Sequence, residues 1–315
     1  MNINSRPNRR AVLGAAVGLS VALAVSACGG GNPLAASSSG GASGSAGPVV
    51  VGSANFAESQ TVAEIYAGAL NAAGVTATTK LNIGAREVYV KAVEDGSIDV
   101  VPDYSGNLLG YLDPKTTATT AEQVIAALPA VMPSGLSVLD AAKAEDKDAM
   151  VVTAETAAKY NLKSIEDLAK VCSQLTLGAP PEFQTRPYGL PGLKSHYNCV
   201  PAKFTPIGDG GGPLTVKALL NNDVQVVDIF TTSPSIPENK LVVLTDPKNN
   251  WLAQQVLPLV KSAKVSDAAK AALNKVSSLL TTEDLISLNN EVSGAQKMDP
   301  KAAAAAWLKD KGITK

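Results

Sequence analysis

Histidine occurs once in this 315-residue chain, cysteine three times, and aromatic side chains make up only 4% of it. With His196 as the sole imidazole, a zinc site assembled from several Cys and His ligands has too few donors. No Gly-x-Ser-x-Gly elbow and no Walker loop is present, so the signatures of esterase and nucleotide chemistry are missing. The run Gly208-Asp209-Gly210-Gly211-Gly212 is glycine-rich, but an internal Asp and the following Pro213 make it a poor phosphate cradle. Charge of one sign is also lacking: the net charge is −1, which leaves no electrostatic footprint for nucleic acid. Past residue 25 there is no second long apolar run, so the body of the chain is not expected to span a membrane. No cofactor is expected. A glycosidase built on a carboxylate pair stays open on sequence alone, and a secreted enzyme is the remote alternative.

The chain begins with Arg6, Arg9 and Arg10 and no acid, then an apolar run over residues 11–25, then small residues leading to Cys28. That order is a secretory signal, and the run is shorter than the ~20 residues of a membrane span. Leu23-Ala24-Val25-Ser26-Ala27 followed by Cys28 resembles a bacterial lipoprotein box. It implies a signal peptide over residues 1–27 and a lipid on Cys28 that ties the protein to the outer face of the cytoplasmic membrane. The plainer alternative is a secreted protein cut near Ala27. Arg9-Arg10 also loosely fits a twin-arginine signal, which alters the route and not the destination. Residues 28–48 are almost entirely Gly, Ser and Ala after the cysteine, a flexible leash of roughly 25 Å root-mean-square length. In an exported chain the remaining pair, Cys172 and Cys199, is expected to form a disulfide.

The body reads as two α/β units. Residues 49–53 form a short buried strand, 56–73 a helix, 77–83 a strand and 85–94 a helix stopped by Gly96; 98–101 is a third strand. Strand alternating with helix predicts a parallel sheet with right-handed crossovers, and ligands in such sheets sit beyond the carboxyl ends of the strands. Residues 53–56 and 103–107 both occupy that position. A second unit starts with a strand near Met150, then a helix from Ser164 to Cys172 with Asp167 completing a capping box. A Pro/Gly-rich loop at 178–192, a helix at 214–220 and strands at 224–230 and 241–244 follow. The tail from 265 to 311 is mostly helical and is expected to return over the first unit.

Several stretches, in this order, carry a family resemblance: Val51-Gly52-Ser53-Ala54-Asn55-Phe56-Ala57-Glu58, residues 96–106 ending Pro102-Asp103-Tyr104-Ser105-Gly106, residues 178–186 ending Gln184-Thr185-Arg186, Gly189-Leu190-Pro191-Gly192-Leu193, and Val226-Val227-Asp228-Ile229-Phe230-Thr231-Thr232. Together they resemble the extracellular substrate-binding subunits of ABC importers for quaternary-ammonium osmoprotectants such as glycine betaine, choline and carnitine. The resemblance implies a two-lobed type II periplasmic-binding-protein fold that closes like a hinge. Lobe 1 is expected over 49–149 plus 257–315 and lobe 2 over 150–256. The implied partners are a small-molecule ligand, a membrane permease with its ATPase, and the membrane through the lipid anchor; the protein itself is expected to be monomeric and not an enzyme.

In that family a cage of tyrosines holds the cationic head by cation–π attraction, and Lys, Arg and Thr clamp the carboxylate. Carried over by position, Tyr104 keeps the first cage ring, Phe230 replaces another, and Arg186 keeps the guanidinium that grips a carboxylate in bidentate fashion. Asn55 and Thr231, inside the matching stretches, join the expected ligand set. The chain also departs from the pattern. Ala54 stands where the family has Lys, and Asn107 where it has Thr. Asp148 and Gln254 align with the third and fourth cage tyrosines. The expected pocket therefore has one or two rings, one Arg and several neutral or acidic groups. It suits either an osmoprotectant or, as the second reading, a neutral polyhydroxylated or phenolic ligand carried by the same importer.

Overall fold

The computed structural model describes residues 47–315. The expected signal peptide, the cut near Ala27, the lipid on Cys28 and the leash up to residue 46 lie outside the described residues.

Apolar runs bounded by Gly, Pro and Asn become the strands of two five-stranded sheets. The first contains β1 (Val49–Ala54), β2 (Ala77–Gly84), β3 (Val100–Tyr104) and β4 (Leu136–Val138). The second contains β5 (Asp148–Val152), β6 (Thr176–Ala179), β7 (Lys203–Pro206), β8 (Val226–Phe230) and β9 (Val242–Val243). The chain then returns to the first sheet as β10 (Val256–Lys261). Strand orders are β2-β1-β3-β10-β4 and β7-β6-β8-β5-β9.

The expected parallel strands are present, and antiparallel strands join them in each sheet. β1 runs parallel to β2 and β3, and β6 parallel to β7 and β8, but β10 and β5 run antiparallel to their neighbours. The reason is connectivity. The parallel strands deliver their carboxyl ends to one edge of each sheet, and the chain crosses between sheets at that edge. A strand that enters directly from the crossing must start where its neighbours end. Asp148, the first residue of β5, therefore lies opposite Phe230, the last of β8, and Val256 opposite Tyr104. The two crossing segments also pair with each other: Ala142 N–H donates to Val256 O, Val256 N–H to Ala144 O and Asp146 N–H to Gln254 O.

Each sheet is covered on both faces, as parallel strands require. Helix Ala57–Ala72 lays Val62, Ile65, Tyr66 and Leu70 on the first sheet, and the three C-terminal helices (Asp267–Leu279, Thr282–Ser293, Pro300–Asp310) close over it with Leu273, Val276, Leu285 and Trp307. The opposite face holds Tyr89, Val93, Leu108, Leu109 and Leu128. The second sheet packs Met150, Leu168, Phe183 and Leu193 on one side and Val216, Leu219 and Ile229 on the other. Ser164 and Asp167 form the expected capping box, as do Thr281 with Asp284 and Thr120 with Gln123. Gly106 is required by contact: a Cβ there would meet Ala253 O at 2.5 Å, so helix Ser105–Leu112 sits directly against the returning crossing segment. Among the described residues no helix is long and apolar enough to cross a membrane.

Cys172 and Cys199 are joined by a disulfide with Cα atoms 5.4 Å apart, closing a loop of 27 positions. On the chain-entropy model a loop of that size stabilises by about 3–4 kcal/mol. The Cys172→Ser, Cys199→Ser variant is expected to lose about that much in a urea unfolding titration; a loss below about 1 kcal/mol would contradict the staple role.

Candidate functional site

The site is built where the cleft-facing strand ends meet. At the end of β3, Asp103 is fully buried and accepts hydrogen bonds from Arg86 Nε (3.1 Å) and Nη2 (2.7 Å), the Tyr89 hydroxyl (2.9 Å) and the Tyr104 backbone N–H (2.7 Å). Arg86 opens helix Arg86–Asp95 and is itself 6% exposed. Burying either charge alone would be strongly unfavourable, so each holds the other in place and fixes the backbone at Tyr104.

Three rings gather above this pair. Phe56 lies 5.0 Å from Phe230 and 6.0 Å from Tyr104, centroid to centroid. Phe56 comes from the turn after β1, Tyr104 from the end of β3, and Phe230 from the end of β8. The Tyr104 hydroxyl donates to Glu58 Oε1 at 2.6 Å, while Thr232 Oγ1 (2.7 Å) and Asn289 Nδ2 (2.6 Å) donate to Glu58 Oε2. Burial, reinforced by the nearby Glu58 and Asp146 charges, pushes the Tyr104 phenol well above its ordinary range.

Carboxyl groups flank the rings. Asp146 accepts from the Thr232 backbone N–H at 3.0 Å and from Thr231 Oγ1 at 3.2 Å. Burial, and then Glu58, push its carboxyl well above the usual carboxylate range. Asp148 accepts from Asn107 Nδ2 at 2.7 Å. On the far side Arg186 makes a two-pronged ion pair with Glu87, Nε to Oε1 and Nη2 to Oε2 both at 3.0 Å, and donates to the Tyr188 hydroxyl at 2.8 Å. Glu87 sits in helix Arg86–Asp95 beside the first sheet, whereas Arg186 follows the strand β6 of the second. The ion pair therefore ties the two halves together across the mouth of the cavity.

The cavity between the sheets is lined by Asn55, Tyr104, Asn107, Asp148, Arg186 and Phe230 among the residues expected from sequence. Thr231 and Gln254 are not on its wall. Thr231 is spent on the crossing segment, accepting from Lys147 N–H and donating to Asp146. Gln254 has no exposed surface; its Oε1 accepts from the Asn107 N–H at 3.0 Å and its Nε2 donates to Asn107 Oδ1, so it aims Asn107 at Asp148. The expectation of one or two rings is also corrected. Phe56, Tyr89, Tyr104, Tyr188 and Phe230 all line the cavity. Tyr89 and Tyr188 lie outside the motif positions that guided the alignment. Phe56 stood inside a matching stretch at a strand's carboxyl end, where its ring was a readable signal. Arg86 and Asp146 were likewise missed. A wider cleft runs on from Asn55, Phe56 and Phe230 past Gly208 and Ser235. There Asp209 accepts from the Leu214 N–H (2.6 Å) and Thr215 Oγ1 (2.6 Å), filling the helix start that a phosphate would need.

Arg86→Met leaves Asp103 buried without its cation and is expected to destabilise by about 3–5 kcal/mol. Adding Asp103→Asn should recover part of that loss in the same urea titration. A single-variant loss under about 1 kcal/mol would contradict the ion pair's role.

Comparison with known proteins places this geometry among its relatives. The family model OpuAC, the substrate binding domain of ABC-type glycine betaine transport systems, matches residues 47–310. The glycine betaine-binding protein YehZ of Escherichia coli is 26% identical over 283 residues, 86% of this chain and 92% of that protein. The carnitine transport binding protein OpuCC of Listeria monocytogenes is 29% identical over 161 residues, 50% of this chain and 51% of that protein. A crystal structure of a glycine betaine/carnitine/choline ABC transporter protein superposes with a TM-score of 0.66 at 22% identity, covering 84% of this chain and 99% of that one. Lactococcal OpuAC, closed on glycine betaine, superposes with a TM-score of 0.60 at 17% identity, covering 84% of this chain and 96% of that one. These structural likenesses establish the two-lobed type II binding-protein fold.

Proposed function

The chain belongs to the family of substrate-binding domains of ABC-type glycine betaine transport systems, and from that membership we propose that it captures a small quaternary-ammonium osmoprotectant of the glycine betaine, choline or carnitine type. Members of this family act outside the cytoplasmic membrane, where they bind small solutes and deliver them to a permease. The observation that carries the ligand assignment is the ring cluster of Phe56, Tyr104 and Phe230 next to the buried carboxyls of Asp146 and Asp148. Ring faces attract a desolvated cation, and a carboxylate adds a direct charge contact. A methylated ammonium, which cannot donate a strong hydrogen bond, is held by this combination and by little else.

In this reading Asn55 and Asn107 supply hydrogen bonds to the ligand's polar end. Arg186 contributes from the mouth, where a ligand carboxylate shares it with Glu87. Thr231 and Gln254 act through Asp146 and Asn107. The lobes are residues 49–149 with 257–315, and 150–256; the two separate sheets support this division, the second sheet beginning at Asp148 and the first resuming at Val256. Capture proceeds by closure of the lobes about the paired crossing segments, with no bond in the ligand made or broken. Tethering by lipid on Cys28 after removal of residues 1–27, and action as a monomer, complete the proposal; the sequence before and at Cys28 supports the first. No observation favours the neutral or phenolic ligand, since such a molecule leaves the acids beside the rings without a counter-charge.

The test is calorimetric titration of the purified protein with glycine betaine, choline and carnitine. Binding at micromolar or tighter Kd to at least one is expected. Phe230→Leu, which keeps bulk but removes the ring face, should weaken it about tenfold, the equivalent of ~1.4 kcal/mol. Silence toward all three quaternary amines would overturn the assignment.

A further inference from the structure

Four carboxyl groups line up from the ring cluster into the second sheet: Glu58, Asp146, Asp148 and Asp228, exposed by 4%, 4%, 6% and 4%. Among the described residues none of the four takes part in an ion pair. The cations that face them are already committed, Arg86 to Asp103 and Arg186 to Glu87. Glu58 and Asp146 have their own donors in Tyr104, Thr232, Asn289 and Thr231. At Asp228 one oxygen, Oδ1, is buried without a partner.

The sheet register explains where Asp228 points. Asp148 lies opposite Phe230 and Met150 opposite Asp228 on antiparallel β5 and β8. Asp148 and Asp228 are thus diagonal neighbours on one face of the sheet, within side-chain reach of each other. Two carboxylates buried side by side repel, whereas a carboxylate and a carboxylic acid can hydrogen-bond. Only Asp148 of the two reaches the cavity wall. Resting on the assignment of a quaternary-ammonium ligand, we propose that Asp228 holds a proton against Asp148 in the empty site and releases it to solvent when a cationic headgroup settles against Asp148.

The groups facing the pair are consistent with a proton held there. From the crossing segment comes Asp146, from helix Ser105–Leu112 comes Asn107, and from the loop after β6 come Arg186 and Tyr188. Burial, then the neighbouring Asp148, raise the Asp228 carboxyl well above its usual range, with Arg186 and the Ala149 backbone N–H opposing only partly. A cation against Asp148 favours the doubly ionised pair, so it lowers the pair's proton affinity. Affinity for the cation must then rise with pH through the range in which the empty pair still holds its proton, and level off above it.

The experiment is calorimetric titration of the protein with choline and with glycine betaine, in phosphate and in Tris at matched pH from 7 to 8, with the pH dependence of Kd followed down to pH 5 in MES and acetate. Release of about one proton per cation bound is expected as a buffer-dependent heat, and Kd should tighten by up to about tenfold per pH unit. Asp228→Asn should abolish both the buffer dependence and the pH slope. Binding with the same heat in both buffers and a flat pH profile would overturn the proton coupling and leave the osmoprotectant assignment standing. A slope kept in Asp228→Asn would overturn the assignment to this pair. No binding of either probe would overturn the ligand assignment and the coupling together. The wild-type buffer comparison decides the question even if a variant fails to fold.

Discussion

Asp103 has no exposed surface, and the floor of the cleft is organised around its hydrogen bonds. Arg86 reaches it from the start of one helix, Tyr89 from one turn further on, and the backbone of Tyr104 from the strand end itself. Those bonds link β3 to the helix that follows β2. They also set the Tyr104 ring against Phe56 and direct its hydroxyl to Glu58. Because Arg86 is consumed there and Arg186 by Glu87, the cavity carries two guanidinium groups but little uncompensated positive charge. Its acids, by contrast, lack counter-ions. The electrical character of the site is therefore that of an acceptor for cations.

Connectivity does the rest. A chain that passes twice between two sheets at their cleft edges must run antiparallel on re-entry, and this puts the first residues of β5 and β10 beside the last residues of β8 and β3. Asp148 stands beside Phe230 for that reason. The same crossings bring Asp146 and Gln254 into mutual backbone contact next to the ligand cavity. A rotation of the two halves about these segments would open the Glu87–Arg186 and Glu58–Thr232 contacts together. Closure and ligand contact are thereby coupled through a few named bonds.

Much of this was legible in the sequence, where local chemistry sets local structure. The capping box of Ser164 and Asp167, the Gly96 stop and the strand carrying Val226 to Phe230 all follow from short-range rules. The motif stretches also located Asn55, Tyr104, Asn107, Asp148, Arg186 and Phe230, which the fold brings to one cavity. What was not legible depends on long-range geometry. Nothing near Val256 announces an antiparallel strand between β3 and β4, because its direction is set by the crossing that precedes it. Tyr89 and Tyr188 reach the cavity through a helix phase and a loop path that no spacing encodes. Gln254 was expected on the wall because it aligned with a ring, but its amide matches Asn107 donor for acceptor, and that pairing buries it.

A methylated cation is expected among Phe56, Tyr104 and Phe230, against the acids of the crossing segment and β5. A crystal structure of the protein with choline or glycine betaine bound tests it most directly. The quaternary nitrogen should lie within about 6 Å of those three ring centroids, with Asp146 or Asp148 as the nearest charge. A ligand found instead in the wider cleft beside Gly208 and Ser235, away from the rings, would contradict it.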